Sequence, residues 1–287
     1  MFSVRSLAPA SLAAGLVATL GAGAALASGV GQPAPGQMGL QVPVTPIAAY
    51  INWFHDGLLL PLCIIISLFV LGLLVYVMVK FNEKANPTPS RLTHHTGLEV
   101  AWTVIPVLIL VVIAIPSFRL LRDQLVIPPA DVTVKVTGKQ WYWSYEYPKD
   151  QGGGFGFDSL MKPEKDIDVA KGDVRLLSVD NEVVVPVGKV VRMQVTASDV
   201  IHSFTVPSFG IRIDAVPGRL NETWFKAERE GMYYGQCSKI CGKDHAYMPI
   251  AVRVVSEQAY TAWLGEAKKK FAGAPAHYAD AAASVRQ

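Results

Sequence analysis

Cysteine is scarce, three among 287 residues. Three thiols cannot build a disulfide framework, so the chain is not a small scaffold held by cross-links. No Cys-x-x-Cys-His occurs, which excludes a covalently attached c-type haem. Charge is also sparse: 17% of residues, against about 25% in ordinary soluble domains. The shortage is uneven. Residues 1–121 hold eight of the 49 charged side chains and residues 122–287 hold 41. One uniform soluble fold is therefore excluded. Beyond residue 121 there is little apolar sequence of spanning length, which argues against a polytopic transporter. The net charge of +3 is too small for the basic footprint of a nucleic-acid binder.

The N-terminus has the pattern of a secretory signal over residues 1–27. Arg5 supplies the positive end, an Ala/Leu/Val core follows, and Ala25-Leu26-Ala27 gives the cleavage pattern before Ser28. The plain alternative, a retained anchor helix, fits less well with so many small residues. Residues 28–49 are rich in Gly, Pro and Gln and are expected to be flexible. Two uncharged runs follow, residues 57–79 and 100–118, of 23 and 19 residues. At ~1.5 Å per residue each spans about 30 Å as a helix, the thickness of a bilayer core. They predict a membrane hairpin over residues 50–121, with helices at about 54–80 and 98–121. Pro61, Pro106 and Pro116 are tolerable in such helices. Lys80, Lys84 and Arg91 lie in the connector, which therefore faces the cytoplasm and leaves both mature termini outside. Trp53 and Trp102 sit near the ends, as interfacial aromatics do.

Residues 122–267 predict an exported all-β domain with a terminal helix. Val132, Val134 and Val136 alternate with Thr133, Lys135 and Thr137. Further strand candidates are 174–179, 183–185, 190–196, 201–206, 223–227, 232–235 and 250–255, short and separated by turn residues. That spacing is expected of an antiparallel sandwich or barrel. Ser256 is the expected cap of the last helix. The run Lys268-Lys269-Lys270 suits a solvated helix end, and residues 268–287 a loose tail.

The sharpest chemistry lies in one segment with the spacing Cys-x3-Cys-x3-His-x2-Met: Cys237, Cys241, His245 and Met248. His202 opens a candidate strand 35 residues before Cys237. Soft sulfur with imidazole favours copper over magnesium or calcium. One cysteine, two histidines and a methionine would make a mononuclear site. The second cysteine allows two thiolates to bridge two copper ions, each with a terminal histidine. Met248 and a backbone carbonyl between the cysteines would take the weak positions. Such a site suits electron transfer, because shared rigid ligands change little on reduction. The alternatives are a Cys237–Cys241 disulfide, which export permits, and zinc, which gains little from methionine. Cys63 fits helix packing, and His94 and His95 a solvated connector. His55 stands at a membrane boundary without an evident partner.

Several motifs resemble those of subunit II of bacterial and mitochondrial cytochrome c oxidase. They are Glu99-Val100-Ala101-Trp102-Thr103, the aromatic run Gln140 to Tyr147, Asp199-Val200-Ile201-His202-Ser203-Phe204, Val216-Pro217-Gly218-Arg219 and the cysteine loop. The resemblance implies a two-helix membrane hairpin carrying a cupredoxin-like, Greek-key domain in the bacterial inner membrane. It implies a binuclear copper centre, CuA, that accepts electrons from cytochrome c and passes them to haem in subunit I, with subunit III as a further partner. Carried over by residue, Cys237 and Cys241 bridge both coppers. His202 and Met248 complete one copper, and His245 with the backbone carbonyl of Lys239 the other. Trp141 takes the position where the donor's electron arrives, whereas Trp143 reads as strand packing.

One residue departs from the family pattern. Where Lys239 stands the family has a glutamate, whose carboxylate binds magnesium at the border with the catalytic subunit. An ammonium has no acceptor, so the expectation is a weakened or absent ion, or Lys239 itself filling the charge role. Residues 140–184 hold nine acids against five bases, a surface suited to a basic donor. Glu146, Asp158, Asp180 and Asp199 align with the family's docking acids. Glu99 matches a residue at the entrance of a proton path, or simply marks a helix start, where acids are favoured. A copper-insertion chaperone of thioredoxin-like fold would need helices around its cysteines. A quinol oxidase subunit would lack the copper ligands, and nitrous oxide reductase has no such membrane runs.

Overall fold

The computed structural model describes residues 30–272. The expected signal and most of the expected tail lie outside that range. Helix α1 (Pro46–Lys80) and helix α2 (Thr96–Leu125) are the two long apolar helices. Both begin earlier than the uncharged runs suggest, and α2 also ends later, because polar caps set their ends. The Thr45 hydroxyl accepts from Ala48 N at 3.0 Å and donates to Phe209 O at 2.8 Å, so one side chain starts α1 and ties it to the β-domain. Pro46 fills the first turn, where its missing N–H is not needed. Pro61 has no N–H to give, and the preceding turn widens to a π-helical segment, Trp53–Leu59. His95 is not a free connector residue. Its ring accepts from Leu98 N while Glu99 Oε1 accepts from His95 N at 3.1 Å, a reciprocal cap on α2.

Among the described residues ten strands follow: β1 (Val132–Lys139), β2 (Tyr142–Tyr147), β3 (Phe155–Ser159), β4 (Val183–Pro186), β5 (Val191–Ala197), β6 (His202–Val206), β7 (Ile211–Ala215), β8 (Asn221–Phe225), β9 (Gly231–Gln236) and β10 (Pro249–Val255). They form sheets β3-β2-β1-β5-β8, β4-β10-β9 and β6-β7. The domain is a β-sandwich, but not purely antiparallel: β1 pairs with β5, and β4 with β10, in parallel. The core joins Val134, Trp143, Tyr145 and Met193 of the large sheet to Val183, Ile250 and Val252 of the smaller one and to Phe204 of β6.

Three expectations need correction. Residues 174–179 form a turn rather than a strand. Val174 N bonds the Ser178 hydroxyl and Leu177 N bonds Val174 O, so local partners replace a sheet ladder. The stretch before α1, expected to be flexible, is docked on the β-domain at both ends, around Gly31 and Val44, with residues 35–40 exposed between them. Val44 is buried, its N–H bonds Ser208 O, and Gly31 O accepts from Tyr234 N along β9. At Gly31 the backbones come so close that a Cβ would lie 2.1 Å from Met232 O. Helix α3 (Glu257–Lys270), capped by the Ser256 hydroxyl, runs past residue 267, and Lys270 Nζ bonds Asn181 Oδ1 instead of standing wholly in solvent.

Candidate metal centre

The β9–β10 hairpin ends at the pair Gln236–Pro249, so the cysteine segment is the loop between them. Cys237 N donates to Met248 O at 3.1 Å and closes its base. Ser238 N donates to Ser203 O, and the Ser238 and Thr205 hydroxyls bond at 2.6 Å, fastening the loop to β6. Gly235 permits this approach, since a Cβ there would lie 1.8 Å from Thr205 O. His202, the first residue of β6, is thereby brought to the loop.

The side chains converge as follows. Cys237 Sγ lies 3.9 Å from Cys241 Sγ and 3.9 Å from His202 Nδ1. Cys241 Sγ lies 3.5 Å from His245 Nδ1, and the Lys239 carbonyl is 3.3 Å from Cys237 Sγ. Ligand atoms of His202, Cys237 and Cys241 fall within 4.8 Å of one another. Both cysteines are free thiols, so the disulfide alternative is not realised. Met248 and His202 are completely buried.

Burial alone would raise the Cys237 thiol, but hydrogen bonds from His202, the backbone at Lys239 and Ser203, and His245 bring it down to about 6. Burial and then the neighbouring Cys237 charge push Cys241 up to about 12. Burial pulls the His202 value down, yet its bonds to Cys237 and Asp199 raise it overall. Two closely spaced sulfurs, two imidazoles and a carbonyl form a soft ligand set suited to copper or zinc and unsuited to magnesium or calcium.

Trp141 packs beside this cluster, against Gly242, where a Cβ would lie 2.8 Å from its ring. Gln140, which the sequence reading did not single out, donates from Nε2 to Cys241 O at 2.9 Å. Its only signal was its place beside Trp141. Trp143 is fully buried, edge-on to Phe204, as strand packing requires. Lys239 is half exposed, with Nζ 4.0 Å from Asp214 Oδ2, and Arg212 Nη2 donates to Ser238 O. The Lys239 ammonium beside Asp214 can donate but not accept, so its side chain does not fit a magnesium ion. Asp214 and Arg212 also escaped the sequence reading.

The acids separate. Glu146 is buried and pairs with Lys135 at 3.1 Å, which removes it from the docking set. Its place on β2, opposite Lys135, buries both. Asp158 is half exposed and accepts from the Ser144 hydroxyl. Asp180 is exposed, and its Oδ1 accepts from Asn181 N in its own turn and from the distant Leu160 N. Asp199 accepts from His202 Nε2 at 2.8 Å. Glu99 lies in the first turn of α2, within the helical cap.

The chain matches known proteins along most of its length. The profile for the periplasmic domain of cytochrome c oxidase subunit II covers residues 132–255, and that for its transmembrane domain residues 33–120. Cytochrome c oxidase subunit 2 of Cereibacter sphaeroides is 48% identical over 271 residues, covering 89% of each chain. That of Zea mays is 48% identical over 235 residues, 80% of this chain and 89% of its own. The periplasmic domain of Bradyrhizobium japonicum subunit II is 61% identical over 51% of this chain and 99% of its own, with a TM-score of 0.47. With nearly one residue in two shared over most of both chains, this chain belongs to the cytochrome c oxidase subunit II family, as a subunit of a haem–copper oxidase.

Proposed function

We propose that this chain is the electron-input subunit of its oxidase and holds a binuclear CuA centre. The convergence of Cys237, Cys241, His202 and His245 within the β9–β10 loop and the start of β6 carries the proposal. In this reading Cys237 and Cys241, with His202, Met248, His245 and the Lys239 carbonyl, would hold the two copper ions. Copper, when bound, supplies a one-electron couple. The chain's own residues gather that ligand set: the loop base closes on Cys237 N, and β6 delivers a fully buried His202. Burial of both thiols excludes water. Trp141, beside Gly242, stands where a donor's electron would arrive.

The donor proposed is cytochrome c, drawn to Asp158 and Asp180 on the acidic face. The recipients are subunit I and its haem, with subunit III alongside. The proposed setting is the bacterial inner membrane, with the β-domain and both mature termini on the periplasmic side. Glu99 holds the cap of α2, and a place at the mouth of a proton path in subunit I is part of the same proposal. Lys239 brings a positive charge where the family has a magnesium-binding carboxylate. Metal determination on the purified oxidase should therefore find magnesium weakly held or absent, and one tightly held ion per complex contradicts this. The copper assignment is tested by electron paramagnetic resonance on the copper-loaded full-length chain.

A further inference from the structure

Asp199 aligns with the docking acids, yet its carboxylate is already engaged. Oδ1 accepts from Val200 N at 2.6 Å and from His202 Nε2 at 2.8 Å, and Oδ2 accepts from Gln140 N at 2.6 Å. Two backbone N–H groups fix the carboxylate, so it cannot swing toward a partner without breaking them. We infer that Asp199 is a positioning residue of the candidate metal centre, locking His202 in the tautomer and orientation that leave Nδ1 for a metal. This rests on His202 being a ligand, as proposed above.

The chemistry follows from donor counting. A carboxylate only accepts, and a neutral imidazole has one N–H. That N–H must sit on Nε2, facing Asp199. The lone pair is then on Nδ1, which lies 3.9 Å from Cys237 Sγ. The ring is confined on other sides too. Trp143 meets it edge-on at 6.0 Å between centroids, and at Gly138 a Cβ would stand 2.9 Å from its Cδ2. Gln140 extends the arrangement, since its backbone N–H binds Asp199 while its side chain binds Cys241 O. A chain of bonds thus runs from His202 through Asp199 and Gln140 to the second cysteine, passing the residue next to Trp141. Carboxylates behind metal-binding histidines fix orientation and raise ligand basicity, and removing one commonly costs 10–100-fold in metal affinity.

The test uses the full-length chain with 15N-labelled histidine. In the metal-free wild type, at a pH where the ring is neutral, the His202 nitrogen shifts should report hydrogen on Nε2, and Asp199→Ala should mix the tautomers. Loaded with copper, Asp199→Ala and the shape-preserving Asp199→Asn should bind it about 10–100-fold more weakly and shift its reduction potential upward. Asp150→Asn, an equal charge change on an exposed acid with no proposed role, should match wild type in both. Wild-type affinity and spectrum in both Asp199 variants, with only the salt dependence of donor oxidation altered, would overturn the inference. Hydrogen on Nδ1 in the metal-free wild type would also overturn it. If the wild type takes up no copper, the functional proposal fails, while the tautomer measurement still decides the role of Asp199.

Discussion

Two thiols with sulfurs 3.9 Å apart ionise very differently. Against the effect of burial, bonds from His202 and the loop backbone lower the Cys237 thiol, whereas burial and the neighbouring Cys237 charge raise Cys241. A metal binding both must displace protons from the cysteines and from His202, whose own value is raised. Copper affinity measured from about pH 8 down to about pH 5 should therefore fall, and a pH-independent affinity would contradict this. Trp141 allows a second prediction. Trp141→Phe keeps a ring against Gly242 but loses the indole, so reduction by cytochrome c should slow by about tenfold or more, equivalent to ~1.4 kcal/mol in barrier. The copper spectrum should stay unchanged, and a changed spectrum would make Trp141 a structural support instead. The ligand types were legible from the spacing of Cys237, Cys241, His245 and Met248. Gln140 and Asp214 were not, because polar contacts between residues distant in sequence leave no periodic trace, and Asp199, three residues before His202, was read as a docking acid rather than as a partner of that ring.

At the scale of elements, period-two patterns in Val-rich stretches located β1, β5 and β10 well. The stretch 174–179 misled for a physical reason: Val and Leu there serve a turn whose backbone is satisfied locally, by the Ser178 hydroxyl and by Val174 O. Helix starts were misplaced because capping by Thr45 and His95 extends beyond the uncharged runs. Thr45→Ala removes both the α1 cap and the bond to Phe209 O, so the chain should lose about 1–2 kcal/mol in unfolding experiments. The turn has its own pH signature. Bonds from Lys162 and the Asp168 backbone hold the Asp173 carboxyl below the ordinary aspartate value. Its contribution is present above that ordinary value and is lost as pH falls through the lowered one. An Asp173→Asn chain should thus be less stable than wild type at neutral pH, and the gap should close in strong acid.

On the scale of the whole molecule, the uneven charge corresponds to two environments. Apolar side chains along α1 and α2 lie uncovered by the rest of the chain, as lipid or partner subunits require. The β-domain instead buries a mixed core and presents charge. Not every acid in its acidic stretch faces outward. Glu146→Gln removes the buried carboxylate charge that pairs with Lys135 at 3.1 Å. Stability should fall, because a buried ion pair loses one of its charges, while the salt dependence of donor oxidation stays as in wild type. Asp158→Asn should do the reverse, weakening the donor interaction mainly at low ionic strength. Equal salt slopes for Asp158→Asn and wild type would remove Asp158 from the docking face.

The central claim is that Cys237 and Cys241 jointly hold a binuclear copper centre. Electron paramagnetic resonance on the copper-loaded full-length chain tests it most directly. A mixed-valence signal split equally by two coppers, abolished in both Cys237→Ser and Cys241→Ser, is the predicted result. A four-line mononuclear signal, or no copper uptake by a folded chain, would contradict it.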